Sequence, residues 1–168
     1  MAQQKFDIIA LVNDKGCFDL QFRKDTRHER TGSPTYYRWK LQFVVTMPKE
    51  NAAVLEHVKK ELGAGTISTI KEQARFSVQD IDAINDLVVP YFATPKLSAK
   101  AGLTDNKKKD FDLWQKAVAI IYNNKGKKIA AWEKTDLVKL LDIHKEMMKF
   151  KERPRKQKWL DMAQTLAQ

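Results

Sequence analysis

Two segments of the chain alternate apolar and polar side chains, and their polar positions carry groups that suit nucleic acid. The apolar positions begin at Phe18 and Trp39, and a period of two is typical of strands that bury one face against helices. On the opposite face, arginine and glutamine offer donors and acceptors for base edges, and lysine suits phosphates. An ordinary solvated sheet face is the alternative, but cationic and amide groups outnumber the single acid. The predicted nucleic-acid-binding face comprises Asp19, Gln21, Arg23, Arg38, Lys40, Gln42, Ser68, Arg75 and Ser77.

Further basic residues flank this face. Lys24, Arg27 and Arg30 belong to the polar segment 24–34, which joins the two alternating segments as a hairpin tip, and we expect them to contact phosphates. Lys107 and Lys108 begin a later helical pattern and are predicted to extend the basic surface. A solvated charge run is the alternative for each of these clusters.

The overall charge agrees with a polyanionic partner. The 168 residues include 31 Lys and Arg against 21 Asp and Glu, which gives a formal net charge of +10. An excess of this size favours nucleic acid, whereas a surplus of solvated lysines is the neutral explanation. Cys17 is the only cysteine, and no Cys/His set has the spacing of zinc ligands. Because no apolar run approaches the roughly 20 residues of a membrane span, we expect no membrane partner.

Punctuation by glycine and proline divides the chain into short elements. The apolar segment 6–13 fits either a helix or a buried strand, and Gly16 is expected to end it as a helix-terminating glycine does. The pattern as a whole predicts two units, residues 1–122 and a helical extension at 123–168. The other predicted strands are one that begins at Cys17, one that ends at Val45, and two at 66–70 and 74–78. The other predicted helices run from Met47 to Gly63, from Gln79 to a stop at Pro90, at 106–122 and 129–151, and around Trp159.

Several local motifs resemble one known family. The segment Ile8–Phe18 is similar to the signature helix of the LAGLIDADG homing endonucleases, whose common form ends in an acidic residue, Gly, Cys and Phe. Arg38–Phe43, Leu62–Ile67 and Lys107–Trp114 resemble later parts of the same domain, so the likeness covers about residues 6 to 122. It implies an α+β fold, an α-β-β-α-β-β-α domain with a four-stranded antiparallel saddle sheet over the duplex major groove, followed here by C-terminal helices.

The resemblance also implies a metal site, from which this chain departs. In the family, the acidic residue at the end of the signature helix binds the divalent metal that drives cleavage, and Lys15 occupies that position here. An ammonium group repels Mg²⁺, which requires hard oxygen ligands. Asp14 is the fallback ligand, but neighbouring residues on a helix point about 100° apart. We therefore expect no catalytic residue, no bound metal and no cofactor, with Mg²⁺ required only if the chain is an active nuclease.

The partners implied by the resemblance are nucleic acid and a second copy of the chain. One motif per chain implies a homodimer through the helix at residues 6–15, acting on a near-palindromic site. Ile9 stands where the family prefers a small residue on the helix–helix face, whereas Ala10 keeps one. A place in a ribonucleoprotein is the other arrangement. The compartment is not encoded in these residues; the resemblance favours a mitochondrion or chloroplast.

The leading hypothesis is a LAGLIDADG-family protein that binds structured RNA (intron or ribosomal RNA) or DNA through a basic β-saddle without cutting it. The alternative is an active, divalent-metal-dependent homing endonuclease that makes site-specific double-strand DNA breaks. A third class, a protein-interaction module, predicts no salt-sensitive binding of nucleic acid.

Overall fold

The computed structural model describes residues 7–26, 35–94, 102–151 and 159–168. The strands are β1 (Gly16–Thr26), β2 (Thr35–Pro48), β3 (Thr66–Ile70) and β4 (Gln73–Val78). They form one antiparallel sheet in the order β1-β2-β4-β3, and helices pack against one of its faces. The predicted α+β fold, with its α-β-β-α-β-β-α order and C-terminal helices, is confirmed.

The first apolar segment is a helix, α1 (Ile8–Lys15), which begins with Asp7 as its N-cap. The Asp7 carboxylate accepts a hydrogen bond from the backbone N–H of Ala10 at 3.1 Å, which satisfies one of the free donors of the first turn. The side chains that α1 buries are Ile8, Ile9 and Val12.

Gly16 lies between α1 and β1, but it is not the helix-terminating glycine that was predicted. Its backbone is extended, with φ −89° and ψ 153°, and it does not adopt the left-handed conformation of a helix-terminating glycine. A Cβ atom at this position would lie 2.7 Å from Cγ1 of Val12, one turn back in α1. Glycine is therefore required because the strand leaves the helix in close contact with it.

The first hairpin is longer than predicted. The pairing of β1 with β2 runs without interruption from Gly16 opposite Val45 to Thr26 opposite Thr35. Lys24 therefore lies within a strand, although the sequence predicts it in the loop. Residues 27–34, which include two of the predicted tip arginines, lie outside the described residues.

The second helix also begins later than predicted. Strand β2 extends through Met47 and Pro48, because pairing with β4 continues through both residues. A 3₁₀ turn (Lys49–Asn51) then leads into α2 (Ala52–Leu62). Gly63 ends α2 in the left-handed conformation, with φ +80°, as predicted from its position.

Pro90 does not stop the third helical segment, contrary to the prediction. Helix α3 (Ile81–Ala83) continues through a π-helical turn (Ile84–Val88) into α4 (Val89–Ala93). The first N–H of α4 bonds to the carbonyl oxygen of Ile84, five residues earlier. This wider turn changes the bonding pattern just before Pro90, where an N–H is missing, so the chain stays helical past the proline.

Three helices complete the chain, and one of them is shorter than predicted. The predicted helix at 129–151 divides into a 3₁₀ turn (Ile129–Ala131) and a true helix that starts at Lys134, because Trp132 between them has an extended backbone. The Trp132 indole N–H donates to the carbonyl oxygen of Lys127 at 3.2 Å, which holds this break in place. The helices are α5 (Asp105–Asn123), α6 (Lys134–Met148) and α7 (Leu160–Ala167).

Aromatic rings fill the core between the sheet and the helices. The Phe18 ring lies 5.1 Å from the rings of Phe111 and Trp114 and 5.3 Å from that of Phe92, at tilted or edge-on angles that aromatic pairs favour. Buried residues of α6 and α7 belong to the same hydrophobic cluster. Within the described ranges, no helix is both long enough and apolar enough to cross a bilayer.

Candidate nucleic-acid interface

The predicted polar residues of the first hairpin face one another across the two strands. Asp19 lies opposite Gln42, Gln21 opposite Lys40, and Arg23 opposite Arg38. Opposed residues in an antiparallel pair point to the same side of the sheet, so these six side chains share one surface. Their apolar neighbours are buried on the other side of the sheet. We call this surface the polar face.

The outer strands extend the polar face. Arg75 of β4 lies opposite Ser68 of β3, and Ser77 lies opposite Thr66. On its other side, Arg75 pairs with Thr46 of β2. Thr46 was not among the predicted residues, although its alternation with Gln42 along β2 is the signal that identifies it. All nine predicted residues therefore belong to one continuous surface.

A hydrogen-bonded chain crosses the centre of the polar face. The Asp19 carboxylate accepts from the amide of Gln21 at 2.5 Å and from that of Gln42 at 2.9 Å. The Gln42 carbonyl oxygen accepts from Nη2 of Arg75 at 3.1 Å. Gln42 is only 8 % exposed. Gln42 therefore mainly holds Asp19 and Arg75 in position by hydrogen bonds, because little of its own side chain is exposed.

Cations crowd the end of the polar face near the hairpin tip. Partial burial lowers the pKa of the Lys40 ammonium below its ordinary value, and the nearby guanidinium groups of Arg23 and Arg38 lower it further. Arg38 also forms an ion pair with Asp25, although half of its side chain remains exposed. Neighbouring cations that destabilise one another create a site at which an added anion is favoured.

The flanking basic residues do not all join this surface. Lys24 alternates with Arg23 and so lies on the helix side of the sheet, with its ammonium group 4.9 Å from the centre of the Trp159 ring. Lys108 forms an exposed ion pair with Asp112 along α5. Arg27 and Arg30 lie outside the described residues.

A groove of about 830 Å³ runs along the polar face, and α6 forms one of its sides. His144, Met147 and Met148 of α6, together with Lys151, line this side, which we call the α6 wall. These residues were not predicted to belong to an interface. Their spacing indicates an amphipathic helix and nothing more, and only the packing of α6 beside β1 brings them to the groove.

Cationic groups gather at the end of α1. The Lys15 ammonium lies 3.9 Å from the Asp14 carboxylate, and both side chains are substantially exposed. Lys107 of α5 donates to the carbonyl oxygen of Gly16 at 2.6 Å, which brings a second ammonium group to the same helix end. The Asn13 side chain holds the segment before α5. Its Nδ2 donates to the carbonyl oxygen of Gly102, and its Oδ1 accepts from the N–H of Thr104.

This set of groups does not fit a divalent metal ion. It offers one exposed carboxylate with two ammonium groups nearby, whereas Mg²⁺ requires several hard oxygen ligands in octahedral geometry. Among the described residues, no three His, Cys, Asp or Glu side chains lie close enough to hold a metal ion together.

Ile9 does not lie on the outward face of α1, contrary to the prediction. Ile9 is 6 % exposed and packs into the core of its own domain, because it lies on the same side of the helix as Val12. It therefore does not stand on the outward side, where Ala10 is exposed and Leu11 is half-buried.

Comparisons with known proteins agree with this architecture. The structure of the homing endonuclease I-TnaI matches with a TM-score of 0.70 and 19% identity, over 96% of this chain and 95% of that chain. I-SmaMI bound to an uncleaved DNA target in the presence of calcium ions matches with a TM-score of 0.64 and 17% identity, over 84% of this chain and 44% of that one. I-LtrWI bound to target DNA matches with a TM-score of 0.63 and 24% identity, over 83% and 43%.

The present chain thus spans less than half the length of I-SmaMI and I-LtrWI. No curated protein sequence matches it significantly. The family model described as LAGLIDADG endonuclease matches residues 11–118, from within α1 to within α5. This chain therefore belongs to the LAGLIDADG endonuclease family.

Proposed function

We propose that this protein binds nucleic acid, either structured RNA or DNA, through the polar face and does not cut it. The observation that carries the binding is the cluster of Arg23, Arg38 and Lys40, whose mutual repulsion an array of phosphates relieves. I-SmaMI and I-LtrWI, which share the fold, are bound to DNA in their structures, and this supports nucleic acid as the partner.

The absence of cleavage rests on the groups at the end of α1. The Lys15 ammonium replaces the acidic residue of the family pattern, and Lys107 adds a second cation within reach of the same helix end. Two ammonium groups raise the energy of a divalent cation at this place, and the exposed Asp14 carboxylate alone does not offset them.

A charge-matched pair of double variants tests the interface. Arg23→Gln with Lys40→Gln removes two charges from the polar face, whereas Lys59→Gln with Lys60→Gln removes two exposed charges from α2. We expect the first variant to bind RNA or DNA more weakly, with the slope of log Kobs against log salt reduced by roughly 1–2, and the second to bind as the wild type does. Equal losses in both variants would show that the polar face is not the interface.

A plasmid assay tests the absence of cleavage. Supercoiled DNA that carries the bound sequence should remain supercoiled with the protein in Mg²⁺ or Mn²⁺. Metal-dependent double-strand breaks at a defined site would overturn this part of the proposal and establish the alternative, an active homing endonuclease. Lys15→Asp restores a carboxylate to the end of α1, and calorimetry with Mn²⁺ should then detect a divalent ion that the wild type does not bind.

We also propose that two copies pair through α1. The outward face of α1 presents Ala10 and Leu11. I-SmaMI is more than twice as long as the part that this chain matches, so two copies of this chain would make up a protein of similar size. Ala10→Asp places a charge on that face and should give a monomer in light scattering. Val138→Asp, at an exposed position of α6, is the matched control and should leave a dimer. A monomeric wild type would overturn the pairing.

A further inference from the structure

The groove beside the α6 wall contains two buried polar atoms without partners. His144 is 5 % exposed, and its Nε2 makes no hydrogen bond within the described part of the chain. The Nε of Arg75 is likewise buried and unpaired there. Both residues line the groove. Because buried polar groups in folded proteins are nearly always hydrogen-bonded, two unpaired ones on residues that line one groove point to a ligand with polar edges.

The rest of the groove combines a polar floor with a side that is apolar at its methionines. The floor holds the carboxylate of Asp19 and the amide of Gln21, which are hydrogen-bond acceptors and donors fixed by the network across the strands. On the α6 wall, Met148 lies with Met147 beside His144 and Lys151, and Val44 of β2 also lines the groove. A methionine side chain adapts its shape to a flat ring and makes favourable contacts with it.

This combination does not suit the phosphates of a paired duplex. A carboxylate at the centre of the floor repels a phosphate, and a thioether offers it no hydrogen bond. An unpaired nucleobase has the complementary features, namely two flat faces for stacking and an edge of donors and acceptors. Arg23, Arg38 and Lys40 lie farther along the same face, where they can hold the flanking backbone.

We propose that the groove between the polar face and the α6 wall receives one unpaired base of the bound nucleic acid. This inference rests on the proposed function and makes it narrower, since the preferred target is then a strand with a bulged or looped base. The base stacks against Met148, and its edge bonds to His144, Arg75 and the floor. The α6 wall lies beyond residue 118, where the match to the family model ends.

Paired oligonucleotides test this inference. One duplex is fully base-paired and the other carries a single bulged 2-aminopurine, and both are prepared as RNA and as DNA. Binding is measured by fluorescence anisotropy over a salt series. We expect the bulged form to bind roughly tenfold more tightly, in line with the stacking of one base, and the 2-aminopurine fluorescence to change on binding. The RNA and DNA arms identify which backbone carries the base.

Met148→Ala removes the stacking side chain and should abolish the preference for the bulge, whereas Val138→Ala, elsewhere on α6, should keep it. Equal binding of paired and bulged forms by the wild type, with unchanged fluorescence, overturns the inference but leaves the proposed function standing. A preference that survives in Met148→Ala also overturns it. If no form binds in a salt-sensitive manner, the proposed function itself fails.

Discussion

Lys151 places its ammonium nitrogen 2.9 Å from Oδ2 of Asp110, in a pair that is largely buried. The same nitrogen donates to the carbonyl oxygen of Phe18 at 2.5 Å. Burial lowers the pKa of Lys151, but Cys17, when ionised, and the Asp110 carboxylate outweigh burial and raise the pKa above its ordinary value. The pair therefore fastens the end of α6 to α5 and β1.

Removing the Lys151 ammonium group should destabilise the folded protein. Lys151→Met leaves the Asp110 carboxylate buried without its partner, and its Oδ1 already lacks a hydrogen bond within the described residues. We expect a loss of about 3–5 kcal/mol in the free energy of unfolding, measured with urea. Lys149→Met, which breaks an exposed pair with Glu146, should cost about 0–1 kcal/mol.

The double variant Lys151→Met with Asp110→Asn separates the charge from the packing. It should be more stable than Lys151→Met alone, because no uncompensated carboxylate remains. If the double variant loses as much free energy of unfolding as Lys151→Met and Asp110→Asn together, the two groups do not interact. The pair would then not hold the end of α6 against α5 and β1.

A pair of glycines offers a second prediction. Gly65 has φ +113°, and a Cβ atom there would overlap the ring of Phe76; Gly126 has φ +81°, with open space around it. Gly126→Ala should therefore cost only the backbone strain, about 1–2 kcal/mol. Gly65→Ala should cost about 1–3 kcal/mol more, because the Phe76 ring must also move. Equal losses in urea unfolding would show that the ring accommodates the methyl group freely.

The alternation of polar and apolar residues was enough to predict the polar face. Period two gives the side of the sheet for each residue, whereas the register that brings Arg23 opposite Arg38 comes from the structure. The same rule places Lys24 on the helix side. Its assignment to a loop was wrong because the polar composition of the segment hid three strand positions, Lys24, Asp25 and Thr26.

Residues that meet only through tertiary packing could not be predicted in this way. Lys151 lies 41 positions from Asp110 along the chain, and neither local pattern points to the other. His144 carries the signal of an ordinary helical residue. The continuation of the helix through Pro90 depends on a π-helical turn, whose geometry has no local sequence pattern comparable to that of a cap or a tight turn.

The pKa of Lys40 gives a prediction about binding. In the free protein this pKa lies below the ordinary value because of burial and because of Arg23 and Arg38. A bound polyanion favours the charged form, so the pKa should rise on binding. Affinity should then fall as the pH rises through the pKa of the free protein, since the bound form retains a proton that the free form releases. NMR titration of the lysine side chains measures both values.

Arg23→Gln provides the internal check, because it removes one of the cations that lower the pKa of Lys40. The pKa in the free variant should move upward toward the ordinary value. A pKa that does not move in this variant, or that does not rise when RNA or DNA is added, would contradict the placement of phosphates beside Lys40.

His144 makes stability depend on pH in the mildly acidic range. Burial lowers the pKa of its imidazole, and the Lys151 ammonium lowers it further while the Asp19 carboxylate opposes both. The folded state therefore binds a proton less readily than the unfolded chain, whose histidine pKa is about 6.5. Stability from this group is complete above that pH and is lost as the pH falls toward the lower, folded-state value.

The contrast with a non-titrating ring isolates this effect. His144→Phe keeps an aromatic side chain beside Trp39, whose ring centre lies 6.0 Å from that of His144. The free energy of unfolding of the wild type, minus that of the variant, should be constant above about pH 6.5 and should fall by up to about 1.4 kcal/mol per pH unit below it. Urea unfolding at intervals from pH 5 to 8 measures the difference, and a constant difference throughout that range would mean that His144 accepts its proton without cost inside the fold.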